Sequence, residues 1–363
     1  MNGFSFATPE DSAGILRIME ADITPGGLKL LYTRRDDPCG SFLAESPGTV
    51  VGVIKAEGKE VATIAAIPRK MYIGGIPRKV CYVTNMKRLK DADVFINWYE
   101  MFKEMCREVG CDFYFCSLLN DNEEVQKMLH KKRRYMPYSE VMCGYKTYII
   151  NPGSRTFLLR LKNGAGQNLK TGLCRGRSCD EAEIVSFLNN TGRDRDLFPV
   201  IKKLSDIGDI RAKDFCLLKR DGHIVAAGAL WDRRKVKQYV VKGCYGIYAV
   251  LRFLNPVLPL LGYIQIPGDD KTADFAFISF LVAMDDREEY YRILLEYICK
   301  EAAGRYKMLV IGTDSANAKR PLLDSLKSVS FETQFNKIIM TNMDGRIPPE
   351  YDCGRIEAEC ALL

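Results

Sequence analysis

Val80–Met86 is an apolar, β-branched run, and apolar residues then recur every third or fourth position at Val94, Trp98, Met101, Met105 and Val109. The first pattern is that of a buried strand and the second that of a helix, so Tyr82–Gly110 predicts a buried strand, a basic turn and a helix. Ahead of it, Thr8-Pro9-Glu10 marks a first helix, and Thr49–Glu57 and Glu60–Ala66 flank Gly58-Lys59 as a hairpin whose second strand runs on past Pro68 to Met71-Tyr72. Gly74-Gly75 turns the chain back toward Val80. Cys111–Leu119 predicts a further strand, Asn120-Asp121-Asn122 the cap of a helix through Val125 and Leu129, and Ser139–Ile150 a closing strand.

After Asn151 the chain turns rich in Gly, Asn and Ser, with one possible edge strand at Thr156–Leu161. Beyond this linker the order of elements repeats. Cys179–Asn189 predicts a helix, Phe215–Lys219 and His223–Trp231 a hairpin, and Phe275–Ala283 a strand. Asp286–Arg305 then predicts a helix, Met308–Gly312 a strand, Ala318–Val329 a helix and Phe331–Met343 a closing pair. The repeat places a first domain at 1–152, a linker at 153–174, a second domain at 175–345 and a tail at 346–363, expected to lie across the surface. An apolar segment, Tyr245–Pro267, interrupts the second copy. It is expected to pack the halves together, to form a dimer contact, or to cover an acyl or hydrophobic acceptor group.

A length of 363 residues fits two domains, and 47% hydrophobic with 27% charged residues describes a globular chain. The formal charge of +7 suits a phosphorylated small ligand as well as RNA. The N-terminus lacks a basic stretch followed by an apolar run, and the longest apolar stretch, Phe253–Gly268, is broken by three prolines. No membrane span and a cytoplasmic location are therefore expected. The thirteen cysteines are scattered through strands and helices, which predicts reduced thiols filling core space. Cys106, Cys111 and Cys116 fall on different elements and opposite faces, so no zinc site is predicted, and His130 and His223 suggest no triad.

The order of elements, with a central strand feeding a helix and a later strand ending in Asn-x-Asn before another helix, resembles the GNAT superfamily of acyl-CoA-dependent N-acyltransferases, twice over. The resemblance spans about Phe6–Ile150 and Arg175–Met343. It implies an α/β (α+β) fold of two tandem GNAT-like domains, each a mixed central sheet flanked by helices, with acetyl-CoA or another acyl-CoA as cofactor. It further implies transfer of an acyl group to an amine on a small molecule or peptide. In the family, amides of a Gln/Arg-x-x-Gly-x-Gly/Ala turn hold the coenzyme A pyrophosphate. Here that turn falls on Asp91-x-x-Val94-x-Ile96 or Asp93-x-x-Ile96-x-Trp98, without glycine. In the second half Tyr290 and Arg292 take the glycine positions beside Arg287, among Asp285, Asp286, Glu288 and Glu289, acids that repel phosphate.

The first half is therefore the expected cofactor site. Its candidate residues are Asn85, Met86, Lys87, Arg88, Leu89, Lys90, Asp91, Ala92, Asp93 and Val94, with Asn120 and Asn122 implied near the pantetheine. Tyr135 and Tyr138 lie where the family often places the acid that protonates the thiolate. No Glu stands on either central strand to serve as base. Glu45, Glu57 and Glu140 are carboxylates within possible reach of the cleft, each also readable as a surface charge. Two further readings stay open: a binding or scaffold protein that kept the fold and lost the cofactor, and a Fem-type aminoacyltransferase using aminoacyl-tRNA through Lys131–Arg134. A homodimer is possible and nucleic acid is not the favoured partner.

Overall fold

The computed structural model describes residues 3–21, 23, 27–154, 171–178, 180–339 and 354–363. In chain order the first half comprises β1 (Phe4–Phe6), α1 (Ser12–Glu20), β2 (Leu28–Thr33), α2 (Pro38–Leu43), β3 (Val50–Ala56), β4 (Lys59–Ile73), β5 (Ile76–Arg88), α3 (Trp98–Val109), β6 (Phe113–Leu119), α4 (Glu123–Leu129) and β7 (Tyr138–Ile150). The second comprises β8 (Thr171–Arg175), α5 (Glu181–Gly192), β9 (Phe215–Arg220), β10 (His223–Trp231), β11 (Gln238–Cys244), α6 (Ile247–Phe253), β12 (Phe275–Ala283), α7 (Glu288–Ala302), β13 (Met308–Asp314), α8 (Arg320–Asp324) and β14 (Ser328–Ile339). A last 3-10 turn covers Cys360–Leu362.

Twelve strands form one mixed sheet in the order β1-β3-β4-β5-β6-β14-β7-β13-β12-β10-β9-β8. Strand alternation assigns its two faces. Val80, Tyr82, Phe113 and Phe115 pack with α1 and α2, whereas Cys81, Val83, Tyr114 and Cys116 pack with Trp98, Phe102 and Met105 of α3. The second half repeats this layering around α7 on one face and α5 on the other. At the centre the halves exchange their closing strands. β14 lies between β6 and β7, and β7 lies between β14 and β13, all antiparallel. A separate ribbon of β2 and β11 joins the halves again.

Several elements depart from expectation. β5 runs to Arg88, held to β4 by the pairs Thr63↔Lys87 and Ala62↔Arg88, so Lys87 and Arg88 stand on a strand and not in a turn. α3 starts only at Trp98, where the Asn97 side chain accepts from the Glu100 N–H, and Val94 lies in the irregular stretch before it. β2, α2 and β11 were not anticipated. The expected helix over 318–329 is the five-residue α8, because Ser328–Ser330 pair with β7. Only one closing strand, β14, is present among the described residues, and Thr156–Leu161 lies outside them. The tail, expected on the surface, instead buries Ile356, Glu357, Ala358, Glu359, Ala361 and Leu362 between the halves. Its four apolar members explain why: they complete the core beneath the sheet. Among the described residues no helix is long and apolar enough to cross a membrane, and the described cysteines are free thiols.

Candidate active site

β5 and β6 are parallel neighbours through only three pairs, Val80↔Phe113, Cys81↔Tyr114 and Tyr82↔Phe115. Beyond them β5 stays with β4 and β6 turns to β14, so a wedge opens between the two strands. Its floor is braced by a hydrogen bond between the Tyr82 and Ser117 hydroxyls at 2.7 Å. On the β5 wall the register with β4 slips between Ala65↔Thr84 and Thr63↔Lys87, a bulge that contains Asn85 and Met86. Asn85 takes φ 54°, a conformation that asparagine tolerates better than most residues. Its side chain is 9% exposed, and neither Oδ1 nor Nδ2 has a hydrogen-bond partner. A buried amide left in that state carries an unrecovered desolvation cost of about 1–3 kcal/mol. It is a donor and acceptor held ready beside the wedge.

The second half repeats this geometry. β12 and β13 are parallel through Phe275↔Met308, Ala276↔Leu309 and Phe277↔Val310, and the β10 register slips between Ala227↔Val282 and Ala229↔Ser279. Phe280, in that bulge, also has φ 54°. The contents differ. Phe280 is fully buried among Phe198, Phe215 and Trp231, and the Cys360–Leu362 turn packs against β12 and β13. The Glu359 carboxylate lies against the Phe280 backbone N–H. Burial pushes Glu359 up to about 7, with Glu357 adding repulsion and Lys319 opposing both. At the mouth of this second wedge a cavity of about 570 Å³ is lined by Asp194, Asp285, Asp286, Arg195, Arg355 and His223 among others. The second wedge is thus filled by the chain itself, with acids at its entrance.

The buried tail is gripped by two charged clusters. Glu357 accepts from Asn317 at 2.6 Å and Arg195 at 3.0 Å, and also pairs with Lys319. Burial opposes its ionisation, but these neighbours hold it below the usual carboxylate range. The other cluster surrounds Glu45, which meets Arg233 at 2.5 Å, Arg34 at 2.7 Å, Arg69 at 3.1 Å and Lys237 at 3.4 Å, all nearly inaccessible to solvent. Burial raises the Glu45 pKa, and the four cations more than reverse this, so it stays ionised. Burial lowers Arg69 to about 10 and Lys237 to about 7, only partly offset by Glu45. Lys237 also donates to the Ala361 carbonyl at 3.0 Å, and Arg69 to that of Leu362 at 3.1 Å. The expected alternative for Glu45, a surface charge, is overturned by this burial.

The sequence candidates are distributed around the first wedge. Asn85 and Met86 form the bulge, Lys87 and Arg88 end β5, and Leu89, Lys90, Asp91, Ala92, Asp93 and Val94 cross to α3. Lys87 reaches the Met19 carbonyl at 3.4 Å. Tyr135 is 41% exposed and edge-on to Phe95 at 4.9 Å, and its carbonyl accepts from the Tyr99 N–H at 3.1 Å. With Asn97 capping Glu100, two first-turn amides of α3 are already engaged. Asn120 donates its N–H to Glu332 at 3.0 Å and accepts from Gln126, while Asn122 caps α4 through the Val125 N–H at 3.4 Å. Tyr138 begins β7, its ring 5.3 Å from the Lys132 ammonium. Glu140 is exposed and pairs with Lys337 at 3.8 Å across β14. Tyr82, Ser117 and the four cations around Glu45 were not singled out as site residues. Asn85, a residue type depleted in strands, is the hint of the bulge within β5.

No family model and no curated protein sequence matches the chain. Solved structures do. N-myristoyltransferase of Saccharomyces cerevisiae with bound myristoyl-CoA superposes with a TM-score of 0.53 at 9% identity, covering 98% of this chain and 86% of the other. The same enzyme with myristoyl-CoA and inhibitors gives 0.55 at 11% identity, over 98% and 84%. A conserved protein of unknown function from Enterococcus faecalis V583, described as a probable N-acyltransferase, gives 0.52 at 8% identity, over 93% and 71%. At such identities the likeness is one of fold. The chain thus shares its fold with these structures, as the tandem GNAT-like arrangement expected from the sequence implied.

Proposed function

We propose that the chain is an acyl-CoA-dependent N-acyltransferase whose donor enters the wedge between β5 and β6. One observation carries this reading. In the first wedge the bulge offers a buried, unpartnered Asn85 amide, whereas the second wedge is filled by Phe280 and the chain's own tail. The Asn85 Nδ2 is assigned as donor to the thioester or pantetheine carbonyl, and Arg88 and Lys90, at and just beyond the end of β5, are assigned to the phosphates, Lys87 being engaged with the Met19 carbonyl. The amine attacks the thioester carbon, charge collects on its oxygen, and the tetrahedral species collapses with expulsion of the coenzyme A thiolate. The attacking nitrogen releases a proton to solvent and the sulfur gains one from Tyr135 or Tyr138, the candidate acids, which recover it from solvent. Because the Tyr82–Ser117 brace closes the floor directly above the last parallel pair, a short acyl group, acetyl, is the favoured donor.

A cofactor-free binding protein is the second reading. The engagement of the Tyr99 and Glu100 amides at the α3 N-terminus favours it, since those groups cannot then hold a pyrophosphate. Calorimetry separates the two. Acetyl-CoA is expected to bind the wild type, and Asn85→Gly to bind it about tenfold more weakly, the worth of one hydrogen bond to a buried group. The same variant is expected to melt higher without ligand, because glycine relieves φ 54° and removes an unsatisfied amide. No binding of any acyl-CoA by the wild type selects the second reading. Binding of myristoyl-CoA without acetyl-CoA keeps the transferase and overturns the short donor.

A further inference from the structure

The apolar segment that interrupts the second half is folded outward. α6 buries none of its residues, and Phe253 is 85%, Leu260 79%, Ile247 66% and Val250 55% exposed. This is a built projection, since Asn255 is bonded both ways to Ile266, at 2.8 and 2.9 Å, and Asn151 donates to the Tyr263 carbonyl at 3.0 Å. Leu258, Ile264 and Ile266 are buried and anchor it from beneath. Its two ends do touch the first half, since Tyr245 donates its N–H to the Gly27 carbonyl at 2.6 Å and Asn151 holds Tyr263, but α6 between them buries nothing against either half.

Its flanks follow a pattern. Tyr245 and Tyr263 stand at either end of the apolar run, 61% and 37% exposed. Cations form the rim: Lys242 pairs with Asp270, Arg252 with Asp269, Lys327 reaches the Leu261 carbonyl at 2.8 Å, and Lys271 is exposed. Four cations against two acids leave the rim positive. Side chains as exposed as Phe253 and Leu260 project from the surface instead of lining a groove, so they suit a deformable apolar phase better than a rigid partner. Apolar tips, flanking tyrosines and a basic rim are the three components of a bilayer-surface contact.

We propose that Tyr245–Tyr263 docks the protein peripherally on a bilayer bearing anionic headgroups. The segment touches Asn151 and Lys327, next to the Ser328↔Ile150 pair, and β14 reaches that point by running past Leu119, at the end of β6. It therefore lies toward the edge of the sheet at which the first wedge opens. Docking there brings that wedge to the membrane side of the molecule.

Vesicle flotation of the full chain tests this. The wild type is expected to float with phosphatidylcholine vesicles that contain phosphatidylserine and much less with phosphatidylcholine alone. A Phe253→Asp, Leu260→Asp double variant is expected to lose about tenfold or more in partitioning while keeping its melting temperature, as both side chains are already in water. Failure of the wild type to float with either vesicle overturns the proposal, and equal flotation with both overturns the anionic assignment. A dimer in light scattering that the same variant dissociates would make a second copy the occupant instead.

Discussion

Lys237 and Glu359 both act on the buried Cys360, and both titrate near neutrality for the same reason, loss of water around an ion. Their effects on stability have opposite signs. Glu359, raised to about 7, contributes stability that is complete below its unfolded pKa and is lost as pH rises through 7. Lys237, lowered to about 7, contributes stability that is complete above its unfolded pKa and is lost as pH falls toward 7. Together they predict a minimum in stability near neutrality. Urea midpoints at about pH 5, 7 and 9 should therefore fall and rise again, and Glu359→Gln should abolish the fall between about pH 5 and 7 while leaving the alkaline limb. None of this was legible in the sequence. Arg34, Arg69 and the Arg233–Lys237 turn come from three separate segments, and no local pattern reports that four cations will converge on Glu45.

At the scale of elements, the tail is a structural plug. Its Glu357 carboxylate neutralises Arg195 and Lys319, its carbonyls accept from Lys237 and Arg69, and its apolar residues complete the core under Tyr145 and Phe335. Leaving a buried charge without its partner costs about 3–5 kcal/mol. Glu357→Gln alone should thus lower stability by that order, and deletion of 354–363 should abolish a cooperative transition in circular dichroism. A melt of the deleted protein as sharp as the wild type would contradict this role. The strands and long helices were readable because their apolar patterns are strong: Val80–Val83 is apolar throughout and is buried on both faces, and Met101, Met105 and Val109 line one side of α3. The tail was misread because its charged residues, Glu357 and Glu359, signal solvent to any composition argument. The bulges escaped notice since one extra residue leaves the apolar count of a strand almost unchanged.

At the scale of the whole molecule, the exchange of β7 and β14 makes each half a component of the other's sheet. Residues 1–152 produced alone would present β6 and β7 flanking an empty strand position, with Phe115 and Tyr145 deprived of Phe335. That polypeptide is expected to aggregate or bind a hydrophobic dye, whereas co-production with residues 171–363 should yield a soluble one-to-one complex. Independent, monomeric folding of 1–152 would show that the exchange is not required.

The same exchange imposes an order on synthesis. The Tyr145 carbonyl waits for the hydroxyl of Thr333, 188 residues downstream, so the sheet of the first half cannot close while it is leaving the ribosome. Until β14 emerges, a strand-wide gap flanked by aromatic residues stays open at the centre of the nascent chain. The interval between those two strands sets how long a chaperone must guard it.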